Sequence, residues 1–113
     1  MLKAGFGIEI EFTGITREKA AKVAAEFLNG TYTEGGTYYD IKKVTAPDGR
    51  VWKFMSDGSI KCQRKERGTI KPADKNYSVE LVSPVLHYRE DIETLQELIR
   101  RLRKAGAFAN SSC

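Results

Sequence analysis

Glu9 and Glu11 stand two residues apart in Phe6-Gly7-Ile8-Glu9-Ile10-Glu11-Phe12. On a β-strand, side chains at i and i+2 leave the same face about 7 Å apart. Two carboxylates so placed can share a hard cation or flank a pair of them. Mg2+ takes oxygen ligands and is commonly held by one or two carboxylates together with phosphates. The other reading is a solvated polar face, although Glu is a poor strand former. Glu80 offers a further carboxylate. It lies between Val79 and Leu81, where an unpaired charge is costly unless that face lines a polar cleft. The run Glu80-Leu81-Val82-Ser83-Pro84 also reads as an edge strand ended by proline. Asp57-Gly58-Ser59 reads as a tight turn between strands, which needs nothing beyond backbone geometry.

The segment Lys61 to Lys75 concentrates positive charge: Lys61, Arg64, Lys65, Arg67, Lys71 and Lys75 against Glu66 and Asp74. Such a loop either grips phosphates or a partner, or is a solvated stretch. Aromatic residues do not interleave with the basic ones, which argues against a nucleic-acid stacking platform. His87 has no positioned Ser, Cys or Asp with which to build a catalytic dyad. Cys62 points inward by alternation and reads as a small core residue.

The elements that must position these residues follow from pattern. Ile8, Ile10 and Phe12 alternate with Glu9 and Glu11, the period of a half-buried strand. Thr16 is a good N-cap, Ala20, Val23, Ala24, Phe27 and Leu28 recur at helical spacing, and Asn29-Gly30 supplies a stop. Tyr38 to Ala46 and Arg50 to Ser56 flank the turn sequence Pro47-Asp48-Gly49 and read as a hairpin. Asp57-Gly58 turns the chain into a strand over Ser59 to Arg64. Lys65 to Asn76 reads as a polar loop, and Tyr77 to Ser83 as a strand with Glu80 on the face of Glu9 and Glu11. Ile92, Leu95, Leu98, Ile99 and Leu102 form the stripe of a last helix. Its acidic first turns and basic last turns complement the dipole, Gly106 ends it, and Ala107 to Cys113 completes no further element. The order implies an α+β architecture: an antiparallel β-sheet with two helices packed on one face.

Size and composition set the bounds. A chain of 113 residues with 41% hydrophobic content and a net charge of +4 reads as one domain over residues 1–113, able to bury about two thirds of its unfolded surface. No apolar run approaches the roughly 20 residues that span a bilayer. No secretory signal pattern opens the sequence, so the default expectation is a cytoplasmic protein. Two cysteines are too few for a disulfide framework, and one histidine leaves zinc without ligands. Any metal site here is built from carboxylates.

Taken in order, Phe6-Gly7-Ile8-Glu9-Ile10-Glu11-Phe12, Ser56-Asp57-Gly58-Ser59-Ile60, Val79-Glu80-Leu81-Val82-Ser83-Pro84 and a helix containing Ile92-Glu93-Thr94-Leu95-Gln96 resemble the amidoligase family, carboxylate-amine ligases with a glutamine synthetase-like fold. The resemblance runs from Gly5 to Cys113. It implies a sheet whose concave face carries ATP and a metal, Mg2+ or Mn2+, with Glu9, Glu11 and Glu80 as metal ligands and Asp57 and Ser59 beside the substrate. It implies ATP-dependent amide formation through an acyl phosphate from small carboxylate and amine substrates. Family members continue past the Asn110 to Cys113 segment into a His-containing strand, so the sequence corresponds to an N-terminal half, truncated relative to the family. No catalytic residue is then assigned to this chain alone, and it is expected to be inactive by itself. The alternative expectation is a naturally shortened binding or inhibitor protein of phage or mobile-element origin, with Lys61, Arg64, Lys65 and Arg67 as its contact surface. A homodimer or a protein partner would cover the exposed sheet edge.

Overall fold

The alternation around Ile10 folds as strand β1 (Glu9–Phe12) in the computed structural model of the chain, which describes residues 5–36 and 38–109. Helix α1 (Arg17–Leu28) follows. The Thr16 side chain accepts a hydrogen bond from the Lys19 N–H, and Asn29 closes the helix in the left-handed region at φ 57°, as cap chemistry dictates. Strands β2 (Thr31–Glu34), β3 (Lys42–Thr45) and β4 (Val51–Met55) come next. The β3–β4 turn places Gly49 at φ 90°, the conformation expected of Pro-Asp-Gly. Strands β5 (Gln63–Glu66) and β6 (Thr69–Pro72), a 3-10 turn over Lys75–Tyr77, β7 (Val79–Val82) and helix α2 (Tyr88–Lys104) complete the described elements.

Five strands make one antiparallel sheet in the order β1-β7-β4-β3-β2, and β5 and β6 pair separately. Both helices cover one face of the larger sheet. Ala20, Ala21 and Ala24 of α1 and Leu95, Leu98 and Leu102 of α2 join Val44, Trp52, Phe54, Val79 and Leu81 in a single core. The small side chains of α1 let its backbone sit close to the sheet, and the leucines of α2 supply volume. The fold is therefore the α+β arrangement the sequence implied.

Register fixes what faces the other way, because directly opposed residues share a face. Glu80 lies opposite both Glu11 and Met55, Val82 opposite both Glu9 and Lys53, and Lys53 opposite Lys43. These residues form the face that neither helix covers.

Four elements differ from the sequence reading, the first being β2, an edge strand in a stretch where the pattern predicts no element. Lys65 to Asn76 is mostly ordered structure rather than a loop. Glu66 and Thr69 pair across Arg67 and Gly68, which take φ of 53° and 80° and form a two-residue hairpin turn. The strand expected over Ser59 to Arg64 begins only at Gln63, because the Gln63 backbone is held by Thr13: the Thr13 hydroxyl accepts from Gln63 N–H at 2.8 Å and donates to Gln63 O at 2.9 Å. Finally, the chain after α2 does not simply trail away. Phe108 bridges Thr13 through two backbone hydrogen bonds of 3.0 Å. The approach needs Gly14, since a Cβ there would stand 2.3 Å from Gly106 O. Cys62 is half-buried rather than a core residue. Residues 110–113, the end of the expected tail, lie outside the described residues.

Candidate functional site

Glu11 reaches the uncovered face from β1, Glu80 reaches it from the adjacent β7, and Asp57 arrives from the turn after β4. Each offers a carboxylate oxygen, and the three oxygens lie within 4.8 Å of one another. Asp57, read from the sequence as a substrate contact, thus stands with the expected metal ligands. Glu9 shares the face but sits one rung further along, opposite Val82, about 7 Å from Glu11 along the strand, and lies outside the trio.

The turn that presents Asp57 is held from two sides. Its Oδ1 accepts from Ser59 N–H at 2.9 Å and from the Ser59 hydroxyl at 2.7 Å. Its backbone is gripped by Ser78, whose Oγ accepts from Asp57 N–H at 2.8 Å and donates to Asp57 O at 2.7 Å. Ser78 is buried, and its carbonyl in turn accepts from Arg17 Nη1 at 2.6 Å, a nitrogen that also donates to Lys75 O at 2.8 Å. Arg17 is 5% exposed although it opens a helix. A line of hydrogen bonds therefore runs from the start of α1 through the segment before β7 to the Asp57 turn. Ser59, expected near a substrate, here orients Asp57 and stabilises its negative charge.

The electrostatics follow from crowding. Burial, then repulsion from Glu9 and Asp57, pushes the Glu80 carboxyl up to about 7. The Glu11 carboxyl is raised as well, first by its hydrogen bond to Asp57 and then by the charge on that residue. Asp57 is held below the usual carboxylate range, first by the backbone and hydroxyl of Ser59 and then by its hydrogen bond with Glu11. Near neutrality the Glu80 carboxyl is therefore partly protonated, while Asp57 is ionised. All-oxygen ligands, several negative charges and an opening to solvent fit a hard divalent cation. Carboxyls held protonated in part by anionic neighbours release those protons when a cation arrives.

The basic residues of the β5–β6 hairpin are disposed differently. Arg64 pairs with Glu66 at 3.1 Å, Lys71 contacts the same carboxylate at 3.3 Å, and Lys65 lies 5.3 Å from the centre of the Phe108 ring. Arg67 is at the hairpin tip, and Lys61 is exposed before β5. Ser78 and Arg17 escaped sequence reasoning altogether. An Arg just after a helix cap gives no sign that it is buried, and Ser78 precedes Val79 as one polar residue among many.

No helix among the described residues is long and apolar enough to cross a membrane. A family model described as "Putative amidoligase enzyme" matches residues 2–113. No curated protein and no solved structure matches the chain.

Proposed function

The chain belongs to the amidoligase family, and from that premise we propose that its uncovered sheet face supplies the cation and ATP end of an ATP-dependent carboxylate-amine ligase site. The proposed reaction has two steps. A substrate carboxylate oxygen takes the γ-phosphoryl group of ATP, giving an acyl phosphate and ADP, and an amine then attacks the acyl carbon and expels phosphate. Glu11, Asp57 and Glu80 are the proposed ligands for Mg2+ or Mn2+, with Glu9 adding negative charge one rung away. A cation held there offsets the charge on the phosphates during transfer. The contribution of this chain's residues is preorganisation. Ser59 fixes the Asp57 carboxylate, Ser78 fixes its backbone, and β1–β7 pairing sets Glu11 against Glu80.

The observation that carries this reading is that three carboxylates from three separate segments converge within 4.8 Å on the open face. Calorimetric titration with Mn2+ and Mg2+, alone and with ATP, tests it. Cation binding is expected in the parent protein and is expected to be lost in a Glu11→Gln, Glu80→Gln double variant. Equal binding by both proteins overturns the proposal.

A further inference from the structure

The open face carries a second charged feature that the acidic trio does not use. Lys43 on β3 and Lys53 on β4 are direct cross-strand partners. Ala46 N–H donates to Arg50 O at 2.8 Å where the hairpin closes. Alternation along an antiparallel ladder from that pair puts Lys43 and Lys53 in a closely spaced, non-hydrogen-bonded position, with Cα atoms about 4.5 Å apart and side chains at their nearest. Like charges so opposed destabilise a sheet. Neither ammonium has a hydrogen-bond or ion-pair partner among the described residues. The contrast with Lys42 is direct, since the ammonium next along β3 binds Glu34 at 2.6 Å and Asp40 at 3.0 Å.

The pair is also aimed. Lys53 lies opposite Val82, two residue pairs along from the Met55–Glu80 pairing and on the same face, so that Lys53 and Glu80 are diagonal neighbours about 7 to 8 Å apart, within the reach of a lysine. The stem of Lys43 leans over Gly35, where a Cβ would stand 2.9 Å from Lys43 Cε. Glycine at that position leaves the space the stem occupies. Gly35 N–H donates to Ile41 O at 2.7 Å and Ser56 N–H to Tyr39 O at 3.0 Å, so the stem leans toward the end of the sheet that holds the Asp57 turn.

We propose that Lys43 and Lys53 grip a polyphosphate chain, the triphosphate tail of a nucleotide whose cation-bound end rests on Glu11, Asp57 and Glu80. The direction of the tail rests on the cation site proposed above, whereas the grip rests on the lysine pair. An anion across the two ammonium groups relieves their repulsion and forms charge-assisted hydrogen bonds.

Calorimetry with inorganic triphosphate at low ionic strength, without metal and with Mg2+, tests the two ideas separately. The protein is expected to bind triphosphate in both conditions and more tightly with Mg2+. Lys43→Gln and Lys53→Gln are each expected to weaken that binding about tenfold while leaving Mg2+ binding alone unchanged. Both variants should melt at or above the parent's temperature, because each removes one of two opposed charges, so lost binding is not lost fold. Equal triphosphate binding by the parent and by the Lys43→Gln, Lys53→Gln double variant overturns the inference, as does absence of binding by the parent. If Mg2+ does not bind while lysine-dependent triphosphate binding persists, the cation reading fails and the lysine grip is supported.

Discussion

Two clusters of charge lie on opposite faces of the same sheet, and they are built to opposite rules. On the helix side, Arg17 pairs with Asp40 at 3.0 Å, and Lys42 binds both Asp40 and Glu34. On the open side, Glu11, Asp57 and Glu80 crowd together, and the charged groups that shift Glu11 and Glu80 are other carboxylates, Glu9 among them. The first cluster lines a cleft of about 720 Å3 beside α1, yet its charges are already answered, Lys42 by its two carboxylates and Arg17 by carbonyls as well. The second holds charge that the protein does not neutralise among the described residues. Size of cleft and need for a ligand are separate properties here, and the unmet charge is the better guide to chemistry.

The largest effect that would sharpen this contrast is on the compensated side. Arg17→Met leaves Asp40 and the carbonyls of Lys75 and Ser78 without their donor. Asp40 is half exposed, so the cost comes mainly from the two carbonyls, and leaving a buried acceptor unsatisfied costs about 1 to 3 kcal/mol each. Denaturant unfolding should show a loss of that order, the same with or without divalent cation. A loss below 1 kcal/mol would mean that the cluster is not structural.

On the open side, adding ligand should stabilise. Mn2+ at a hundred times its dissociation constant should raise the unfolding free energy by about 2.7 kcal/mol, read as an upward shift in thermal midpoint at pH 7.5. Glu80→Gln should abolish most of that shift. A midpoint that rises equally in the variant would place the cation elsewhere.

The pH response comes next. Because the Glu80 carboxyl is pushed from 4.5 to about 7 in the folded protein, the unfolded chain releases this proton first. Metal-free stability is therefore fully present below about pH 4.5 and is lost as pH rises through about 7, by on the order of 1 kcal/mol once solvent screening is allowed for. Asp40 and Glu34 are lowered, so their contribution is present above the usual carboxylate range and is lost only in acid. Midpoints measured from pH 4.5 to 8.5 should fall for the parent and fall less for Glu80→Gln, which keeps only the raised Glu11 carboxyl. A parent curve no steeper than the variant's would remove the case for crowding.

The smallest effect is a surface control. Glu18 and Lys22 pair at 2.8 Å, one helical turn apart, with more than half of each side chain exposed. Lys22→Ala should cost no more than about 0.5 kcal/mol. A larger cost would show that the cleft beside α1 depends on its rim as well as on its buried charges.

How much of this could be read beforehand depended on how local each signal is. The alternation around Ile10 fixed β1 and the face of its glutamates, and the apolar neighbours of Glu80 put it on a strand facing the same way. Helix α2 was plain from its leucine stripe. Strand β2, Thr31–Glu34, has no apolar alternation because it is a sheet edge with only Tyr32 half-buried. The β5–β6 hairpin was hidden by its charge and by an Arg-Gly turn in place of the usual Asn-Gly. Asp57 was visible as a turn residue but not as a partner of Glu11, because its place is set by Ser78 and Arg17, contacts between segments far apart in sequence. Lys43 and Lys53 give no signal at all until the hairpin register opposes them.

The order of strands carries one more consequence, in time rather than space. β1 hydrogen-bonds to β7, whose residues follow it by about 70 positions, so at synthesis rates of about 5 to 20 residues per second the first strand waits roughly 4 to 14 s for its partner. Through that interval Ile8, Ile10 and Phe12 have no β7 beside them, an exposure that invites association between nascent chains. Glu9 and Glu11, interleaved with those side chains, are charges of the gatekeeping kind that break up such aggregation-prone runs. Glu11, which later meets Glu80, thus serves first with Glu9 as the guard on the strand that carries them both.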